Sequence, residues 1–452
     1  MPDERDLLEH LILDFTQMRS FAQAPFVFER GEGIRLFDRE GNVYIDGLSG
    51  VFVASLGYGN REIVDAVAAQ LLKLHFAPPL HGTNVQALAL AQALHEFAPA
   101  GLRTFKFLSG GSEATEAALK LVRQYFKQAG HPQKFKFIGR YGGYHGATMG
   151  ALSASGGRER KSAFEPLVPG FLHVHPPYCY HCPYGQTYPS CDITCARIIE
   201  KTIEAEDPAT VAAVIQEPIS VSSAGFVVPP REFHEIVRQA CDKHTVLDIF
   251  DEIITGFGRT GERFAANYYG VMPDIICCGK GMSGGYAPLS TVLVRDTVWD
   301  AFLGLPEEHR EFHHGHTFGG NPVACAAGLA ALHQITERKL VENAKEVGAY
   351  LRQGLDALAE EFISIGEVRG AGLLQGFEFA RDRATHERYP TNIKPGKLFE
   401  AAARERGLIA RTGDEFVAFA PALIVTRTDI DDILAITRES LAEIAPILAI
   451  AG

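Results

Sequence analysis

Short apolar runs alternate with helix-length amphipathic segments through the middle of this 452-residue chain. Six runs have the length and apolar character of buried strands: TFKFL (104–108), KFKFIG (134–139), VAAVIQE (211–217), VLDIF (246–250), IICCG (275–279) and STVLV (290–294). Strands that alternate with helices in this way pair mostly in parallel, and the helices cover both faces of the sheet. The pattern therefore predicts a large α/β domain built on a mainly parallel sheet.

The chain before this region predicts a smaller element. The stretches GIRLF and NVYIDG alternate apolar and polar positions on either side of an REGN turn, which is typical of a hairpin. A helical period begins at Arg61, and its apolar face consists of Ile63, Val67, Leu71 and Leu74. We therefore expect residues 1–60 to form an N-terminal segment and the large domain to begin at residue 61.

The alternation of strands and helices changes beyond residue 335. A long helical period covers residues 337–362, and two stretches with strand character follow, ISIGEVRGAGLLQGFEFA and FVAFAPALIV. Further helical periods lie near residues 398–405 and from Asp429 onward. The pattern predicts a smaller α+β domain over residues 336–452, with which residues 1–60 pack, beside a large domain over residues 61–335.

Residues that carry chemistry follow the predicted strands at the points where those strands end. They are Gly111 and Ser112 after the first strand, Tyr144 after the second, Glu217 after the third, Asp251 after the fourth and Lys280 after the fifth. In open α/β sheets, ligands bind in the crevice beyond the carboxyl ends of the strands. These side chains are therefore expected to meet around one bound molecule.

The pairing of Asp251 with Lys280 indicates a particular chemistry. A lysine that forms an imine with an aldehyde, and a carboxylate that keeps a pyridine nitrogen protonated, are the two protein groups that pyridoxal phosphate needs. Glycines on both sides of Lys280 allow a cofactor to approach the backbone closely. A solvated loop lysine is the alternative interpretation of Lys280 alone, and the presence of Asp251 disfavours it.

The stretch SGGSEATEAALK suits a phosphate group. Ser112 is expected to be the N-cap of the helix that follows, and the free amides at a helix N-terminus bind phosphate without a basic side chain. An ordinary glycine turn is the alternative. Tyr144 lies on a glycine-rich loop, where it could stack on a flat ring. A half-buried structural tyrosine is the alternative interpretation.

Two other motifs suggest rival functions. GFGRTG (256–261) matches the dinucleotide-binding pattern of a nicotinamide-dependent dehydrogenase, but DEIIT separates it from the strand and no long helix follows it. The histidines of HHGHTFGG (His313, His314 and His316) have no acidic motif beside them, so a polar loop accounts for them better than a metal site. Both rival functions are therefore disfavoured.

Four cysteines form a second candidate metal site. Cys179, Cys182, Cys191 and Cys195 occur as a C-x2-C pair and a C-x3-C pair, and four thiolates can hold zinc. The spacing between the pairs is short for a zinc ribbon or finger. Free thiols in a structured insertion are the favoured interpretation, and no metal is predicted.

Composition and charge limit the kinds of partner that this protein is expected to bind. The formal net charge is −12 with no Lys/Arg-rich run, which argues against a nucleic-acid partner. The first ten residues carry charges where a secretory signal needs an apolar segment, and no uncharged apolar stretch reaches the length of a membrane span. Cysteines are expected to be reduced, and the expected location is cytoplasmic with no membrane partner.

The sequence resembles the class III, or omega-type, pyridoxal-phosphate aminotransferases of fold type I over nearly its whole length. The most specific stretch is FDEIITGFGRTG followed by GKGMSGGYAPLS, and GGSEATEAALK, YGGYHG, EPI and HGHTFGGNP occur in the family's order. The loop reads GGS where many relatives have SGS, and Ile253 stands where the family has valine. The resemblance implies pyridoxal 5'-phosphate as the cofactor and a homodimer or dimer of dimers.

The resemblance also implies roles for particular residues. Lys280 would bind the cofactor covalently and shuttle a proton, and Asp251 would pair with the pyridine nitrogen. Gly111 and Ser112 would bind the phosphate together with Thr317 from the partner subunit, and Tyr144 and Ile253 would contact the ring. Glu217 would lie on the substrate side of the cofactor. Phe52 would line the entrance with an aromatic ring, and Arg411 would bind the substrate carboxylate.

The implied reaction is a two-stage transamination. An omega-amino acid, an amine or a similar donor converts the cofactor to its amine form, and an oxo acid such as pyruvate or 2-oxoglutarate regenerates it. Epimerases, aminomutases and a decarboxylase of the same fold share Lys280 and Asp251, so these remain alternatives. A catalytically silent scaffold would be expected to have lost one of the two residues, and both are present.

Overall fold

The computed structural model describes Leu8, residues 10–221 and residues 224–450, so part of the predicted N-terminal segment lies outside the described residues. The strands are β1 Phe28–Glu32, β2 Arg35–Asp38, β3 Val43–Asp46, β4 Leu102–Leu108, β5 Lys136–Arg140, β6 Phe171–Val174, β7 Val211–Gln216, β8 Leu247–Asp251, β9 Ile275–Cys278, β10 Ser290–Arg295, β11 Ile365–Ala371, β12 Leu374–Phe379, β13 Leu408–Ile409, β14 Arg411–Thr412 and β15 Phe416–Phe419.

Helices of very different lengths connect these strands. They are α1 Met18–Phe21, α2 Ser49–Phe52, α3 Arg61–Lys73, α4 Val85–Phe97, α5 Gly111–Gln128, α6 Met149–Ala154, α7 Arg158–Lys161, α8 Thr194–Ala205, α9 Glu232–His244, α10 Ala265–Tyr269, α11 Asp296–Trp299, α12 Pro322–Glu337, α13 Leu340–Glu361, α14 Pro395–Glu405 and α15 Arg427–Ile450. Short 3-10 segments lie at Lys280–Met282, Asp300–Phe302 and Pro306–Glu308.

The central sheet has the strand order β4-β10-β9-β8-β7-β5-β6. Strands β5 to β9 pair in parallel, whereas β10 is antiparallel to both β9 and β4. All six predicted runs are strands of this sheet, which confirms the mainly parallel α/β class. The edge strand β6 was not predicted, because its four residues FLHV form too short a run and are mostly half-buried.

Burial on both faces explains why the central strands were easy to recognise. Every residue of β7 and of β8 is buried, as expected for strands covered by helices on both sides. Helix α5 covers one face with an Ala- and Leu-rich stripe that includes Ala114, Ala118 and Leu121. The sheet therefore presents its carboxyl edge, and the residues that follow the strands, on a rigid layer.

The N-terminal hairpin was predicted correctly and joins the C-terminal part of the chain. Strands β2 and β3 pair in antiparallel, and Ile45 of β3 pairs in parallel with Leu408 of β13. Strands β11, β12, β15 and β14 form a separate antiparallel sheet beside α13, α14 and α15. The division of the chain after residues 60 and 335 stays a prediction.

The predicted apolar face of α3 is only partly buried. Ile63 is fully buried, but Leu71 is 51% exposed in the single chain. Leu74 is 41% exposed and lies beyond the helix, whose last residue is Lys73. Ile63 and Gln70 are the buried residues of α3, so the C-terminal half of the predicted apolar face is exposed in the single chain.

Among the described helices, none combines the length and the apolar character that crossing a bilayer requires. The cytoplasmic location stays a prediction.

Candidate active site

A cavity of about 160 Å³ lies at the carboxyl edge of the central sheet. Seven of the residues predicted from the sequence line this cavity, and His145 lines it with them: Gly111, Ser112, Tyr144, Glu217, Asp251, Ile253 and Lys280. They come from five different strand ends and meet only in the folded chain. The expectation that these side chains surround one space is confirmed by the structure.

Lys280 follows β9 in a strained backbone conformation. Its φ angle is +47°, a left-handed value that non-glycine residues rarely adopt and that costs about 1–3 kcal/mol. Burial is the largest cause that lowers the pKa of the Lys280 amine, the positive charges of Arg411 and Arg160 add to it, and Asp251 opposes it, so that the pKa is about 8. A large fraction of the amine is therefore neutral, and nucleophilic, near pH 8.

Asp251 is the last residue of β8 and is almost completely buried. Its Oδ2 atom lies 2.7 Å from Nδ1 of His145, and its Oδ1 atom accepts a hydrogen bond from the backbone N–H of Ile253 at 3.2 Å. The carbonyl of His145 in turn accepts the Thr115 hydroxyl at 2.8 Å. The histidine is therefore fixed, and it holds the carboxylate in one orientation.

Ile253 and Gly111 line the floor of the cavity, and Gly279 packs closely against Ile253. A methyl group in place of the glycine hydrogen would lie 3.2 Å from Cδ1 of Ile253 at Gly111, and 3.1 Å from the same atom at Gly279. These distances are shorter than ordinary van der Waals contacts. Only glycine therefore leaves the floor flat at these two positions.

The N-terminus of α5 opens toward the cavity. Its N-cap is Gly110 and not Ser112, as the sequence analysis expected, because the carboxylate of Glu113 accepts the backbone N–H groups of Ser109 and Gly110. Ser112 lies in the first helical turn, and its Oγ accepts the N–H of Ala147 at 3.0 Å. The free amides of this turn can bind an anion such as phosphate.

Tyr144 lines the cavity and also contacts a residue that the sequence analysis missed. The guanidinium carbon of Arg160, on α7, lies 4.3 Å from the centre of the Tyr144 ring. The same group lies 5.2 Å from the ring of Phe15, so Arg160 sits between two aromatic rings. Cation–π contacts of this kind hold the guanidinium beside the cavity.

Glu217 follows β7 and is buried beside the cavity. Its Oε2 accepts the hydroxyl of Ser220 at 2.9 Å. Burial raises the pKa of the Glu217 carboxyl, and Asp251 raises it further, whereas His145 and Arg140 lower it. This carboxyl therefore takes up a proton at a higher pH than an exposed glutamate does.

Three predicted site residues do not line the cavity of their own chain. Phe52 is fully buried, and the Nζ atom of Lys280 lies 5.3 Å from the centre of its ring. Arg411 lies on β14, close enough to Lys280 and Glu217 to interact electrostatically with both, and its Nε has no hydrogen-bond partner among the described residues. Thr317 lines a different cavity, described below.

His145 and Arg160 are the site residues that the sequence analysis did not assign. His145 directly follows Tyr144 in the quoted motif YGGYHG, so its position was visible although its contact with Asp251 was not. Arg160 lies in the stretch GGRERKS, which has no motif character. Only the packing of α7 against the loop that carries Tyr144 places Arg160 at the site.

This geometry agrees with the comparison with known proteins. A family model described as "Aminotransferase class-III" matches residues 16–441. The diaminobutyrate–2-oxoglutarate transaminase of Halomonas elongata is 36% identical over 97% of this chain and 95% of that protein. The putrescine–pyruvate aminotransferase of Pseudomonas aeruginosa is 32% identical over 97% of this chain and 95% of that protein.

A solved structure shares the fold over the full length of the chain. The omega transaminase from Pseudomonas jessenii in complex with PMP has a TM-score of 0.95 and 33% identity, and the match covers 100% of both chains. The fold and the site thus define a pyridoxal-phosphate enzyme of fold type I. The chain belongs to the class III aminotransferases, and its cofactor is pyridoxal 5'-phosphate.

Proposed function

We propose that this enzyme is an omega-transaminase that moves an amino group from an omega-amino acid, an amine or a similar donor to pyruvate or 2-oxoglutarate. The observation that carries the proposal is the arrangement around Lys280. Its amine faces the cavity with Asp251, and two arginines, Arg411 and Arg160, act on it electrostatically. The two cations can bind the carboxylate of a substrate, and the amine beside them takes part in the transfer of an amino group.

The residues of the cavity divide into groups with separate tasks. When bound, pyridoxal phosphate supplies the electron sink for the bond that breaks at the substrate carbon. Lys280 binds the cofactor and moves the proton at that carbon. Asp251, oriented by His145, keeps a proton on the ring nitrogen. Gly111 and the amides near Ser112 would hold the phosphate, and Ile253 and Tyr144 would contact the ring.

The two arginines select the acceptor. Arg411 has an Nε group without a partner among the described residues, and burial together with Arg160 lowers the pKa of Arg411. A buried cation with a free donor gains from a carboxylate that enters the site. Donors that lack a carboxylate require Arg411 to swing away or to pair with Glu217, whose charge already acts on it.

The proposal is tested by the visible absorption spectrum of the purified enzyme with a panel of amines and no oxo acid. We expect the band of the bound cofactor to bleach with omega-amino acids or diamines and to return with pyruvate or 2-oxoglutarate. A band that persists with every amine, while an optically pure amino acid slowly racemises, would instead identify an epimerase. The donor that bleaches the band fastest defines the substrate class.

The pH dependence of cofactor capture follows from the pKa of Lys280. The neutral amine is the nucleophile, and its fraction rises as the pH increases through the pKa of about 8. The rate at which the apoenzyme binds pyridoxal phosphate should therefore rise and level off with an inflection near this pH. Stopped-flow absorbance over a pH series measures the rate.

Arg160→Ala should move this inflection to higher pH. The substitution removes a positive charge that lowers the pKa of Lys280. Arg158→Ala, which removes an exposed cation from the same short helix, is the matched control and should leave the inflection in place. Identical profiles for the Arg160 variant and the wild type would show that this charge does not act on Lys280.

Arg411→Ala should lower kcat/KM for the oxo acid by ~10–100-fold, because a charge-assisted bond to its carboxylate is lost. The half-reaction with donors that lack a carboxylate should change much less. Arg404→Ala, whose guanidinium pairs with Glu400 on the surface, is the control. Full activity of the Arg411 variant with pyruvate, together with normal turnover of carboxylate-free amines, would contradict the assigned role.

We also propose that the functional unit is a homodimer in which Thr317 completes the phosphate site of the partner subunit. Thr317 lines a second cavity of about 850 Å³ together with Phe76 and Leu88, and the ring centre of Phe318 lies 6.1 Å from that of Phe76. Leu88 is 60% exposed and Phe318 is 58% exposed in the single chain. Exposed apolar side chains around so large a depression are typical of a surface that another protein covers.

Phe318→Glu should convert the dimer to a monomer and weaken the retention of pyridoxal phosphate, because a buried charge opposes association and Thr317 leaves the partner's site. Light scattering gives the molar mass, and dialysis followed by absorbance gives cofactor retention. Ile363→Glu changes a side chain that is 82% exposed and outside this cavity, and should alter neither property. A wild-type enzyme that is monomeric and fully loaded would contradict the proposal.

A further inference from the structure

Four cysteines surround one small cavity in the part of the chain that connects β6 to α8. Cys179, Cys182, Cys191 and Cys195, here called the cysteine cluster, all line a space of about 20 Å³ and are free thiols. No acidic or basic side chain lines this space. The four thiols share this lining with hydroxyl and amide side chains, which are Tyr178, Tyr184, Gln186, Tyr188 and Thr194.

The segment that carries the cluster has no regular secondary structure. Residues 175–193, all of them described, form turns and no helix or strand, and only Pro177 and Ile193 are buried. Ordering the backbone costs about 1–2 kcal/mol per residue, and loops beyond about 12–15 residues without regular structure are uncommon unless they have a function. Apolar burial within this segment is too small to offset that cost.

Each cysteine pair is associated with a tight turn. The N–H of Gly185 donates to the carbonyl of Cys182 at 3.0 Å and closes the turn after the first pair. Between Cys191 and Cys195, Asp192 and Ile193 adopt φ angles of +47° and +49°. The left-handed conformation is costly for a β-branched residue such as Ile193, so the turn needs a compensating interaction nearby.

We propose that the cysteine cluster binds one Zn²⁺ ion in a structural site that fixes residues 175–193. Four thiolates are a standard ligand set for structural zinc, and each thiol releases its proton to solvent as its sulfur coordinates the ion. Among the described residues, no three of these sulfur atoms lie within 4.8 Å of one another. Binding of the ion therefore requires the sulfur atoms to approach one another.

This proposal revises the expectation of free thiols. The objection from spacing applies to a zinc finger that must fold alone, whereas here β6 and α8 already hold both ends of the segment. Glu200, Glu204 and His244 form a group whose potential ligand atoms lie within 4.8 Å of one another, but Lys243 already forms ion pairs with both glutamates. The cysteine cluster is thus the better candidate among the described residues.

The zinc site would also support contacts with the C-terminal sheet. The hydroxyl of Tyr178 donates to Glu378 on β12, and Nε2 of His181 lies 3.2 Å from the same carboxylate. The ring of Tyr180 stacks on His386 with 4.2 Å between the ring centres. These three aromatic residues flank Cys179 and Cys182, so fixing the cluster fixes their contacts across the two parts of the chain.

The test is the metal content of the purified holoenzyme, measured by elemental mass spectrometry. We expect about one zinc ion per chain that survives mild chelation and is released when a mercurial reagent blocks the thiols. The double variant C182S/C195S should lose the zinc, expose residues 175–193 to protease and keep the absorbance of pyridoxal phosphate. Cys325→Ser, at a buried cysteine of α12 outside the cluster, is the control and should keep the zinc.

Three results would overturn the proposal. One is a wild-type enzyme that stays free of zinc after production and refolding in zinc. Another is zinc that persists in the double variant. The third is an intact mass that is lower by two hydrogens for each cysteine pair, which would identify disulfides instead. Should the double variant not fold, the wild type produced in cobalt must show the visible absorption of tetrahedral cobalt thiolate, and its absence counts against the site.

Discussion

Lys280→Ala should abolish transamination, with a loss of ~10⁴-fold or more in kcat. The substitution removes both the amine that binds the cofactor and the base that moves the proton at the substrate carbon. Pyridoxal phosphate should still bind, because the glycine floor, the amides of α5 and Asp251 remain. Reduction with borohydride should add the mass of the cofactor to the wild type and not to the variant.

Two further measurements distinguish the loss of the catalytic amine from misfolding of the Lys280 variant. Small exogenous amines should restore part of the activity, because they can enter the space that the side chain vacates. Lys280→Arg keeps the charge but offers no neutral amine, so it should be as inactive as the alanine variant. Alanine and arginine carry the same backbone cost at φ +47° as lysine does, so neither substitution adds strain at this position. Retention of normal turnover by the alanine variant would contradict the assignment.

Asp251→Asn should lower kcat by about 10²–10³-fold, the range typical when one group that stabilises charge is removed. The amide cannot hold a proton on the pyridine nitrogen, so the ring withdraws electrons less strongly. His145 loses its charged partner at 2.7 Å in the same variant. The measurements are single-turnover rates with the best donor and the pH dependence of the cofactor spectrum.

Asp248→Asn is the matched control for the Asp251 variant. Asp248 lies on the same strand and is equally buried, but its carboxylate accepts a hydrogen bond from Gln216 and does not line the cavity. Burial raises its pKa to about 6, so the control also removes a perturbed carboxyl. The control should alter stability while leaving the spectrum unchanged. Equal losses of activity in both variants would point to strand β8 as a whole and not to Asp251.

His145→Ala offers an intermediate case between these two variants. His145 touches the carboxylate through Nδ1, and the Thr115 hydroxyl holds its backbone. Its removal should therefore disorder Asp251 without removing the negative charge. A pH profile that shifts while kcat falls less than in Asp251→Asn would identify His145 as a positioning residue.

The sequence by itself determined the positions of the central strands and the pairing of Lys280 with Asp251. Strands buried on both faces, such as β7 and β8, must be continuous apolar runs, so they are visible locally. The residues at their carboxyl ends follow directly in the chain, and parallel pairing alone brings them to one edge. Glycines at 111 and 279 were visible for the same reason, although the packing of Ile253 against them was not.

The tertiary structure decided the features that depend on distant segments. Arg160 on α7 and Arg411 on β14 both lower the pKa of Lys280. The hydrophobic periodicity of the sequence does not show that these two residues lie near Lys280. The N-cap is Gly110 and not the predicted Ser112, because the carboxylate of Glu113 accepts hydrogen bonds from the backbone N–H groups of Ser109 and Gly110. The four cysteines line one cavity although eight residues separate Cys182 from Cys191 in the sequence. Side-chain packing sets such contacts, and packing is a property of the whole fold.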